Sequence, residues 1–336
     1  MTIVNGSKVM QAVLYTGTGA TQTINCGFQP DLVWIKSRSA ATDNKLTDSV
    51  RGATKALISN STGAETTDST GITAFTSTGF TLGSSSVYNN SGATYVAWCW
   101  NAGSGTTSSN TAGSITSTVS VNASAGFSVV TYTGTGANAT VGHGLGVAPK
   151  MIIVKQRNGT FTWRVYHASL ANTQVLYLSA TDAATTETTT WNSTTPTSTV
   201  FSVGTGAGAN GNTNTYVAYC WSEIAGFSKF GSYTGNGSAD GPFVYLGFRP
   251  EFVLVKSSSL AQNWTIYDTS RSPYNAADLL LFPMSSTAEI LDTGQSIDLV
   301  SNGFKIRNSN ANENTNGATY IYMAFAENPF RNSLAR

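Results

Sequence analysis

Two pairs of an acidic and a basic residue, with the same spacing, are candidate functional residues of this sequence. The pairs stand in the segments DSVR and DTSR, and they are Asp48 with Arg51 and Asp268 with Arg271. A carboxylate and a guanidinium at this spacing form a local ion pair or cap, which contributes about 0–1 kcal/mol when it is exposed. They can also contact a polar ligand or a partner protein. Both interpretations stay open, and the pairs form a first candidate contact site.

Tryptophan side chains provide a second set of candidate contacts. Trp163 and Trp264 stand at equivalent places in two recurring segments, and Asn44 takes that place in a third segment. An aromatic face beside polar groups can stack on a sugar ring, whereas a buried tryptophan packs in a core. We therefore consider Trp163 and Trp264 as ligand or partner contacts, with core packing as the alternative.

The sequence contains no group of residues that predicts catalysis, a metal or a cofactor. His143 and His167 are the only histidines, and neither has a cysteine or carboxylate at a ligand spacing. Paired carboxylates, a G-x-S-x-G segment and a P-loop are also missing. The TGTGA segments at 16–20 and 133–137 resemble a glycine-rich phosphate loop, but no helix is predicted after them, which favours turns. We expect a non-enzymatic protein without a cofactor.

Composition excludes several classes of partner. Charged residues make up 10% of the 336 residues and the net charge is +1, whereas an ordinary globular domain has roughly 25% charged residues. This predicts no binding to nucleic acid or to an anionic membrane surface. No apolar run approaches the roughly eighteen residues that span a bilayer, and the start of the chain lacks a secretory signal pattern. Three cysteines do not build a disulfide framework.

One set of segments occurs three times along the chain, and we call the occurrences copy one, copy two and copy three. Each copy has a YTGTG or YTGNG segment, then a proline six positions before a lysine, and finally an aromatic heptapeptide. The proline-to-lysine runs are PDLVWIK at 30–36, PKMIIVK at 149–155 and PEFVLVK at 250–256. The heptapeptides are TYVAWCW at 94–100, TYVAYCW at 215–221 and TYIYMAF at 319–325. Solenoid units span roughly 20–50 residues, so each of these longer copies is predicted to be a small domain.

The pattern within each copy predicts β-strands. Both alternating faces of the heptapeptide are largely apolar, so we expect this strand to be covered on both faces, by its own domain or by a neighbouring one. Helix signals are scarce, and the best candidate is one short turn near 48–56. Many short strands separated by Gly, Asn and Ser clusters predict an all-β protein of three tandem antiparallel β-sandwich or jelly-roll, lectin-like domains.

We place these domains at 1–103, 126–225 and 226–336, with a flexible Ser/Thr/Gly linker at 104–125. Because almost no linker separates copies two and three, we expect these two to pack closely and copy one to stand on a longer tether. The predicted core residues are Val33, Ile35, Tyr95, Ala97, Cys99, Ile153, Tyr216, Ala218, Cys220, Val253, Leu254, Tyr320 and Met323.

Most of residues 10–330 resembles an uncharacterised repeat domain of tailed-bacteriophage structural proteins, especially of marine and cyanobacterial phages. The resemblance depends on GFSKFGSYTGNGSADGPFVYLGFRPEFVLVK in copy three, on VGHGLGVAPKMIIVKQRNGTFTWRVYHASL in copy two, and on the ending ATYIYMAFAENPF. Copy one departs from the pattern at Asn44, where a tryptophan is expected. The resemblance supplies no catalytic residues.

The resemblance implies a structural protein on the exterior of a phage particle, made in the host cytoplasm. The leading hypothesis is a tail-fibre-like or adhesin-like multivalent module that contacts a host surface glycan or other virion proteins. One alternative is a capsid decoration or cement protein, and a less favoured one is a polysaccharide depolymerase. We expect a homo-oligomer, and we expect surface contacts from the turns at 16–22, 88–92, 133–140 and 234–241.

Overall fold

The structure, a computed structural model, describes residues 6–327 and is built from β-strands that pair antiparallel. The first five residues, which belong to the segment inspected for a secretory signal, and the last nine, which belong to the predicted third domain, lie outside the described residues. No helix within 6–327 is long and apolar enough to cross a membrane. The all-β prediction is confirmed.

Copy one forms a larger and a smaller sheet. Its strands are β1 (Met10–Thr16), β2 (Gln22–Asn25), β3 (Leu32–Ser37), β4 (Lys45–Asp48), β5 (Lys55–Ile58), β6 (Thr66–Thr67), β7 (Ile72–Thr76), β8 (Gly79–Leu82) and β9 (Thr94–Trp100). The larger sheet has the order β1-β9-β3-β4-β5-β6, and the smaller has the order β2-β8-β7. A 3-10 turn (Gly6–Lys8) precedes β1, and the helix α1 (Ser86–Asn89) precedes β9.

Copy two repeats this arrangement with two additional strands in its larger sheet and one strand fewer in its smaller sheet. Its strands are β10 (Ser108–Asn110), β11 (Ser117–Asn122), β12 (Phe127–Thr133), β13 (Ala139–Gly142), β14 (Met151–Gln156), β15 (Arg164–His167), β16 (Gln174–Tyr177), β17 (Thr185–Thr186), β18 (Val200–Val203) and β19 (Thr215–Trp221). The larger sheet has the order β10-β11-β12-β19-β14-β15-β16-β17, and β13 pairs with β18. The helix α2 (Ala207–Asn210) precedes β19.

The two additional strands correct the predicted flexible linker at 104–125. Strand β11 pairs with β12 from Asn122 opposite Phe127 to Thr118 opposite Thr131, so this segment is an integral edge of the sheet. The Ser/Thr/Gly-rich composition suggested a coil, but Val119 is buried while Thr118 beside it is exposed. That alternation is the pattern of a strand with one covered face, and β10 pairs with β11 on its other side as the edge strand.

Copy three again forms two main sheets. Its strands are β20 (Ser228–Thr234), β21 (Phe243–Tyr245), β22 (Pro250–Ser257), β23 (Trp264–Asp268), β24 (Leu279–Leu280), β25 (Ile290–Leu291), β26 (Ile297–Val300), β27 (Gly303–Ile306) and β28 (Thr319–Ala326). The larger sheet has the order β20-β28-β22-β23, the smaller has β21-β27-β26, and β24 pairs with β25. The helical turn expected near 48–56 is a turn and a short strand, and both four-residue helices lie elsewhere.

The same strand register recurs in all three copies. The heptapeptide strand lies between the first long strand of its copy and the proline-to-lysine strand. The tyrosine of YTGxG stands opposite the tyrosine of the heptapeptide each time, with ring centres 5.0–5.1 Å apart, in the pairs Tyr15–Tyr95, Tyr132–Tyr216 and Tyr233–Tyr320. Equivalent positions in the three copies can therefore be assigned from strand pairing.

In copies one and two, the two faces of the heptapeptide strand belong to different cores, whereas in copy three both faces belong to one cluster. In copies one and two, Tyr95, Ala97 and Cys99 and their counterparts pack against the smaller sheet of the same copy. The opposite faces join one cluster shared by all three copies. Within it, the seventh residues of the heptapeptides meet, with ring centres 6.1 Å apart for Trp100–Trp221 and 5.9 Å for Trp100–Phe325.

The predicted core residues are buried, but copy one does not stand apart from the other two copies. All thirteen predicted core residues are buried, which confirms that prediction. Copy one contributes Trp34, Trp98 and Trp100 to the shared cluster. Their apolar surface is removed from water only when the copies pack together. Copy one is therefore in direct contact with the other two and does not stand apart on a longer tether.

Candidate functional site at the junctions between copies

The lysine that ends each proline-to-lysine run binds a neighbouring copy. Its Nζ donates a hydrogen bond to a main-chain oxygen of another copy, in the pairs Lys36–Ser286 (2.8 Å), Lys155–Thr62 (3.0 Å) and Lys256–Thr181 (3.1 Å). Copy one thus contacts copy three, copy three contacts copy two, and copy two contacts copy one. Equivalent contacts that close after three steps define a ring with pseudo-three-fold symmetry. Burial lowers the pKa of each of these lysines to about 8.

The tryptophan position makes the next contact in the same ring. Trp163 Nε1 donates to Ile58 O of copy one at 2.9 Å, and Trp264 Nε1 donates to Tyr177 O of copy two at 3.0 Å. In copy one, where the tryptophan is replaced, Asn44 Nδ2 donates to Ser285 O of copy three at 2.8 Å. The asparagine keeps the donor that the junction needs.

The first acid–base pair lies at the junction of copies one and two. Asp48 binds the Arg51 guanidinium, and both side chains are fully buried. Asp48 Oδ2 also accepts a hydrogen bond from Tyr219 Oη of copy two at 2.8 Å, and Arg51 donates to the same Oη at 3.2 Å. Tyr219 is the fifth residue of its heptapeptide, so the pair recognises the heptapeptide of the next copy.

The second acid–base pair occupies the equivalent junction of copies three and one. Asp268 Oδ2 accepts from Arg271 Nε at 2.6 Å and from Trp98 Nε1 of copy one at 3.0 Å. Trp98 is again the fifth residue of a heptapeptide. The Arg271 guanidinium carbon lies 5.9 Å from the centre of the Trp98 ring, which adds a cation–π contact.

A further acid extends each pair into a network across the junction. Glu65 binds Arg51 of its own copy and Arg157 of copy two, both at 3.0 Å. Glu289 binds Arg271 of its own copy at 3.2 Å and Arg38 of copy one at 2.8 Å. Burial alone would raise the pKa of Glu65, but the hydrogen bond from Arg157 and the charge of Arg51 hold that pKa below its ordinary value.

The junction of copies two and three lacks this charge network. Its equivalent residues are His167, Leu170 and Ala184 of copy two and Ser258 and Met323 of copy three. His167 Nε2 donates to Tyr322 O at 3.1 Å, while Nδ1 accepts from Ser169 N at 3.1 Å, which fixes the neutral tautomer. Burial lowers the pKa of His167 to about 4. Met323 stands where the other junctions have Tyr219 or Trp98, and its side chain has no hydrogen-bond donor. An aspartate at position 167 would therefore lack a donor from the next copy, whereas the neutral His167 does not need one.

All six candidate contact residues from the sequence lie at these junctions. They are buried, and they are Asp48, Arg51, Trp163, Trp264, Asp268 and Arg271. The structure gives their side chains partners within the chain, and it leaves no surface of them for an external ligand. They act as the positions by which the copies recognise each other.

The YTGxG segments form exposed loops that a buried asparagine holds in all three copies. In copy one, Asn89 Oδ1 accepts from Thr18 N at 2.8 Å, and Asn89 Nδ2 donates to Ala20 O at 2.6 Å. Asn210 and Asn314 make the same two bonds in their copies. The glycine after the first threonine is required, because a Cβ there would lie 2.2–2.4 Å from a main-chain oxygen, at Gly17, Gly134 and Gly235.

Some junction residues were missed by the sequence analysis although a signal was present. Arg38 and Arg157 both stand two positions after the lysine, and the buried asparagine always stands six positions before the heptapeptide tyrosine. Glu65 and Glu289 lie at different distances from their motifs, so only the three-dimensional arrangement identifies them as equivalents.

The described part of the chain offers no metal centre, since residues 6–327 contain no group of three or more His, Cys, Asp or Glu side chains that could hold an ion. A comparison with curated proteins found no match. A family model described as a domain of unknown function, DUF7483, matches residues 5–329, which takes in all three copies together. The chain therefore belongs to the DUF7483 family.

Proposed function

We propose that this protein is a non-enzymatic structural protein on the exterior of a bacteriophage particle, built from three tandem β-sandwich domains that act as one pseudo-trimeric binding module. The resemblance to phage structural proteins motivates the location. The ring of junctions supports the module, because it uses the repeated motif residues for internal assembly. The repeated loops remain as the outward-facing elements.

The observation that carries the proposal is the set of three equivalent exposed loops. Each loop is held by its buried asparagine, and Gly19, Gly136 and Gly237 at the tips have positive φ. A three-fold rotation keeps equivalent points at the same height along its axis, so the proposed pseudo-trimer would present its three loops at one level and in one orientation. Rigid loops at fixed separations bind a multivalent surface with little ordering cost.

The leading function is attachment, as a tail-fibre-like or adhesin-like module that contacts a host surface glycan or other virion proteins. Three weak contacts in one chain gain avidity from their effective concentration, without any tight single site. Homo-oligomerisation of the whole chain would multiply the number of loops further. The nearly neutral, Thr/Ser/Gly-rich loops suit contacts with polar, uncharged groups.

The second candidate is capsid decoration, and the pseudo-three-fold ring favours it. A shell built from repeated subunits presents three-fold and local three-fold positions, and a pseudo-trimer matches such a position with three similar contacts. A compact ring whose copies contact one another also suits a protein that clamps neighbouring subunits.

The test is to locate the chain on purified particles and to remove it. Immunogold labelling or cryo-electron microscopy identifies a tail or a head position, and particles that lack the chain are assayed for adsorption and for heat stability. Lost adsorption with stable heads supports attachment, and heat-labile heads with normal adsorption support decoration. A chain that is absent from particles, or that hydrolyses a polysaccharide, contradicts the proposal.

A further inference from the structure

Copy three differs from the other two copies in its exposed apolar side chains. Within residues 6–327, five of the seven exposed large apolar residues belong to copy three, and they are Phe243, Tyr245, Tyr274, Ile290 and Leu291. Single exposed apolar residues are ordinary on a protein surface. Their concentration in one of three similar copies is not explained by the shared fold, because the other two copies provide an internal comparison.

Two of these residues stand side by side on one face of β21. Phe243 and Tyr245 are 47% and 56% exposed, while Val244 between them is buried. Strand pairing assigns their counterparts, which are Thr23 and Asn25 in copy one and Thr140 and Gly142 in copy two. The fold therefore does not require aromatic residues at these positions, and copy three alone presents two rings there.

Charged side chains surround the two rings. Lys229 Nζ lies 5.2 Å from the centre of the Tyr245 ring, and Lys305 Nζ binds Asp240 at 2.8 Å. Arg307 lies 3.7 Å from Asp240, whose side chain is 81% exposed. In copy one the same place is an open depression, lined among others by Lys8, Gln11 and Asn25.

We propose that this surface of copy three, formed by Phe243, Tyr245, Lys229, Lys305, Asp240 and Arg307 and here called the aromatic face, binds a glycan chain by stacking consecutive sugar rings on the two aromatic side chains. Alternate residues of a strand are roughly 7 Å apart on the same face. Two sugar rings of one oligosaccharide can therefore contact both side chains. The inference deepens the proposed attachment function and rests on it.

The chemistry of the aromatic face favours a glycan over a protein partner. Stable protein interfaces bury about 800 Å² on each partner, whereas two half-exposed rings offer a small apolar area. Asp240 and Arg307 present planar groups with two hydrogen-bonding atoms, which match neighbouring hydroxyls of a sugar. The hydrogen bond from Lys305 lowers the pKa of Asp240, so the carboxylate stays an acceptor.

Charge at the aromatic face indicates which sugars it takes. Lys305 and Arg307 contact Asp240, Arg307 also lies 3.1 Å from the neighbouring Asp298, and Lys229 lies over the Tyr245 ring. The cations exceed the acids by one. Most of the charge is neutralised within the face, so a neutral or sparsely acidic glycan fits, and a highly sulfated one does not.

The experiment compares the full chain with variants designed from its own copies. A printed array of neutral and acidic oligosaccharides identifies a bound sugar, and titration calorimetry measures its Kd. The F243T/Y245N variant, which carries the residues of copy one, is expected to weaken binding at least tenfold. The control T23A is expected to leave the Kd unchanged. The converse graft, T23F/N25Y, is expected to raise the number of bound oligosaccharides per chain.

Several results would overturn the inference. They are binding to no glycan on the array, unchanged affinity in F243T/Y245N, and self-association of the full chain that F243T/Y245N abolishes, which would make the face a contact between copies of the chain. Location on the particle is tested separately. A chain on the virion exterior that binds no glycan would leave the proposed function standing and refute this inference. A chain that binds glycan through the aromatic face but is absent from particles would do the reverse.

Discussion

At the scale of single residues, the residue twelve positions after each buried lysine is chemically complementary to the group that it contacts across a junction. Asp48 meets a tyrosine hydroxyl and Asp268 meets an indole N–H, so each acid has a donor from the next copy. His167 meets a main-chain carbonyl beside Met323. A buried polar group needs a partner, and substitution of one residue therefore requires substitution of the other.

Asp48→Ala tests how strongly the charged junction of copies one and two depends on its acid. The change leaves the Arg51 guanidinium buried without its main partner, since both side chains are fully inaccessible. Removing one member of a buried pair costs about 3–5 kcal/mol. The free energy of unfolding, measured by urea denaturation, should fall by that amount. Thr107→Ala, at an exposed polar residue outside the junctions, is the control and should change it by less than about 0.5 kcal/mol. Equal effects of the two variants would contradict the assignment.

His167 predicts a loss of stability in acid. Its pKa is about 4 in the folded chain, against an ordinary value of 6.5. The unfolded chain therefore binds the proton first as the pH falls, and stability is lost progressively between pH 6.5 and pH 4. Between pH 6.5 and pH 5 the expected loss from this group is about 1–2 kcal/mol.

The measurement compares the wild type with His167→Gln by urea denaturation at both pH values. Glutamine retains a donor for Tyr322 O but does not titrate. The variant should lose less stability than the wild type by the stated amount. His143 titrates in the same direction, because burial also lowers its pKa, and His143→Gln serves as the comparison. Identical pH profiles of the wild type and His167→Gln would refute the prediction.

At the scale of elements, the packing of the heptapeptide strand explains why both of its faces are apolar. In copies one and two, one face packs within its copy and the other packs in the cluster shared by the three copies, and in copy three both faces join that shared cluster. The alternation was readable in the sequence, and so was the possibility that a neighbouring domain covers the second face. Which neighbour covers it follows only from long-range packing.

Two substitutions in the heptapeptides test the shared cluster and the core of a single copy separately. Trp98 faces the shared cluster and Tyr216 faces the core of copy two, and both are fully buried. Replacement of either by alanine should destabilise the chain by about 3–5 kcal/mol. Trp98→Ala also removes the donor to Asp268, so it should increase amide hydrogen exchange on the copy-three side of that junction. Tyr216→Ala should increase exchange mainly within copy two. Exchange changes confined to copy one in Trp98→Ala would contradict the shared core.

Much of the fold could be predicted from the sequence, and the failures have physical causes. The strands at the proline-to-lysine runs and heptapeptides follow from β-branched and aromatic patterns. The linker prediction failed because β10 and β11 consist mainly of Ser and Thr, whose edge pairing depends on a neighbouring strand rather than on propensity. The candidate residues Asp48 and Asp268 were found by recurrence, but recurrence does not distinguish a ligand contact from a contact between copies.

At the scale of the whole molecule, the three copies form within one chain the kind of closed ring that a homotrimer forms between chains. Covalent connection lets the junctions diverge, because each occurs only once per molecule. Two junctions keep the Asp–Arg–Glu network, and the third has become neutral. A homotrimer has one sequence for all three junctions and cannot diverge in this way. The aromatic face shows the same kind of difference at the surface, because only one of the three copies has it.

The ring predicts that copy one stays bound after the chain is cut. A protease site inserted after Thr106 lies in an exposed segment. The cut leaves the hydrogen bond from Gly105 N to Asp31 within the copy-one fragment. Both junctions of copy one and its share of the central cluster remain intact in the nicked protein. Size-exclusion chromatography in native buffer should therefore give one particle of the original size, and the two fragments should separate only in denaturant. The same cut in a chain that carries Asp48→Ala and Trp98→Ala is the comparison, because these changes remove the acid of one junction and the indole of the other, and the fragments should then dissociate. Early release of the copy-one fragment from the otherwise unchanged chain would mean that the covalent connection, and not the ring of junctions, holds the copies together.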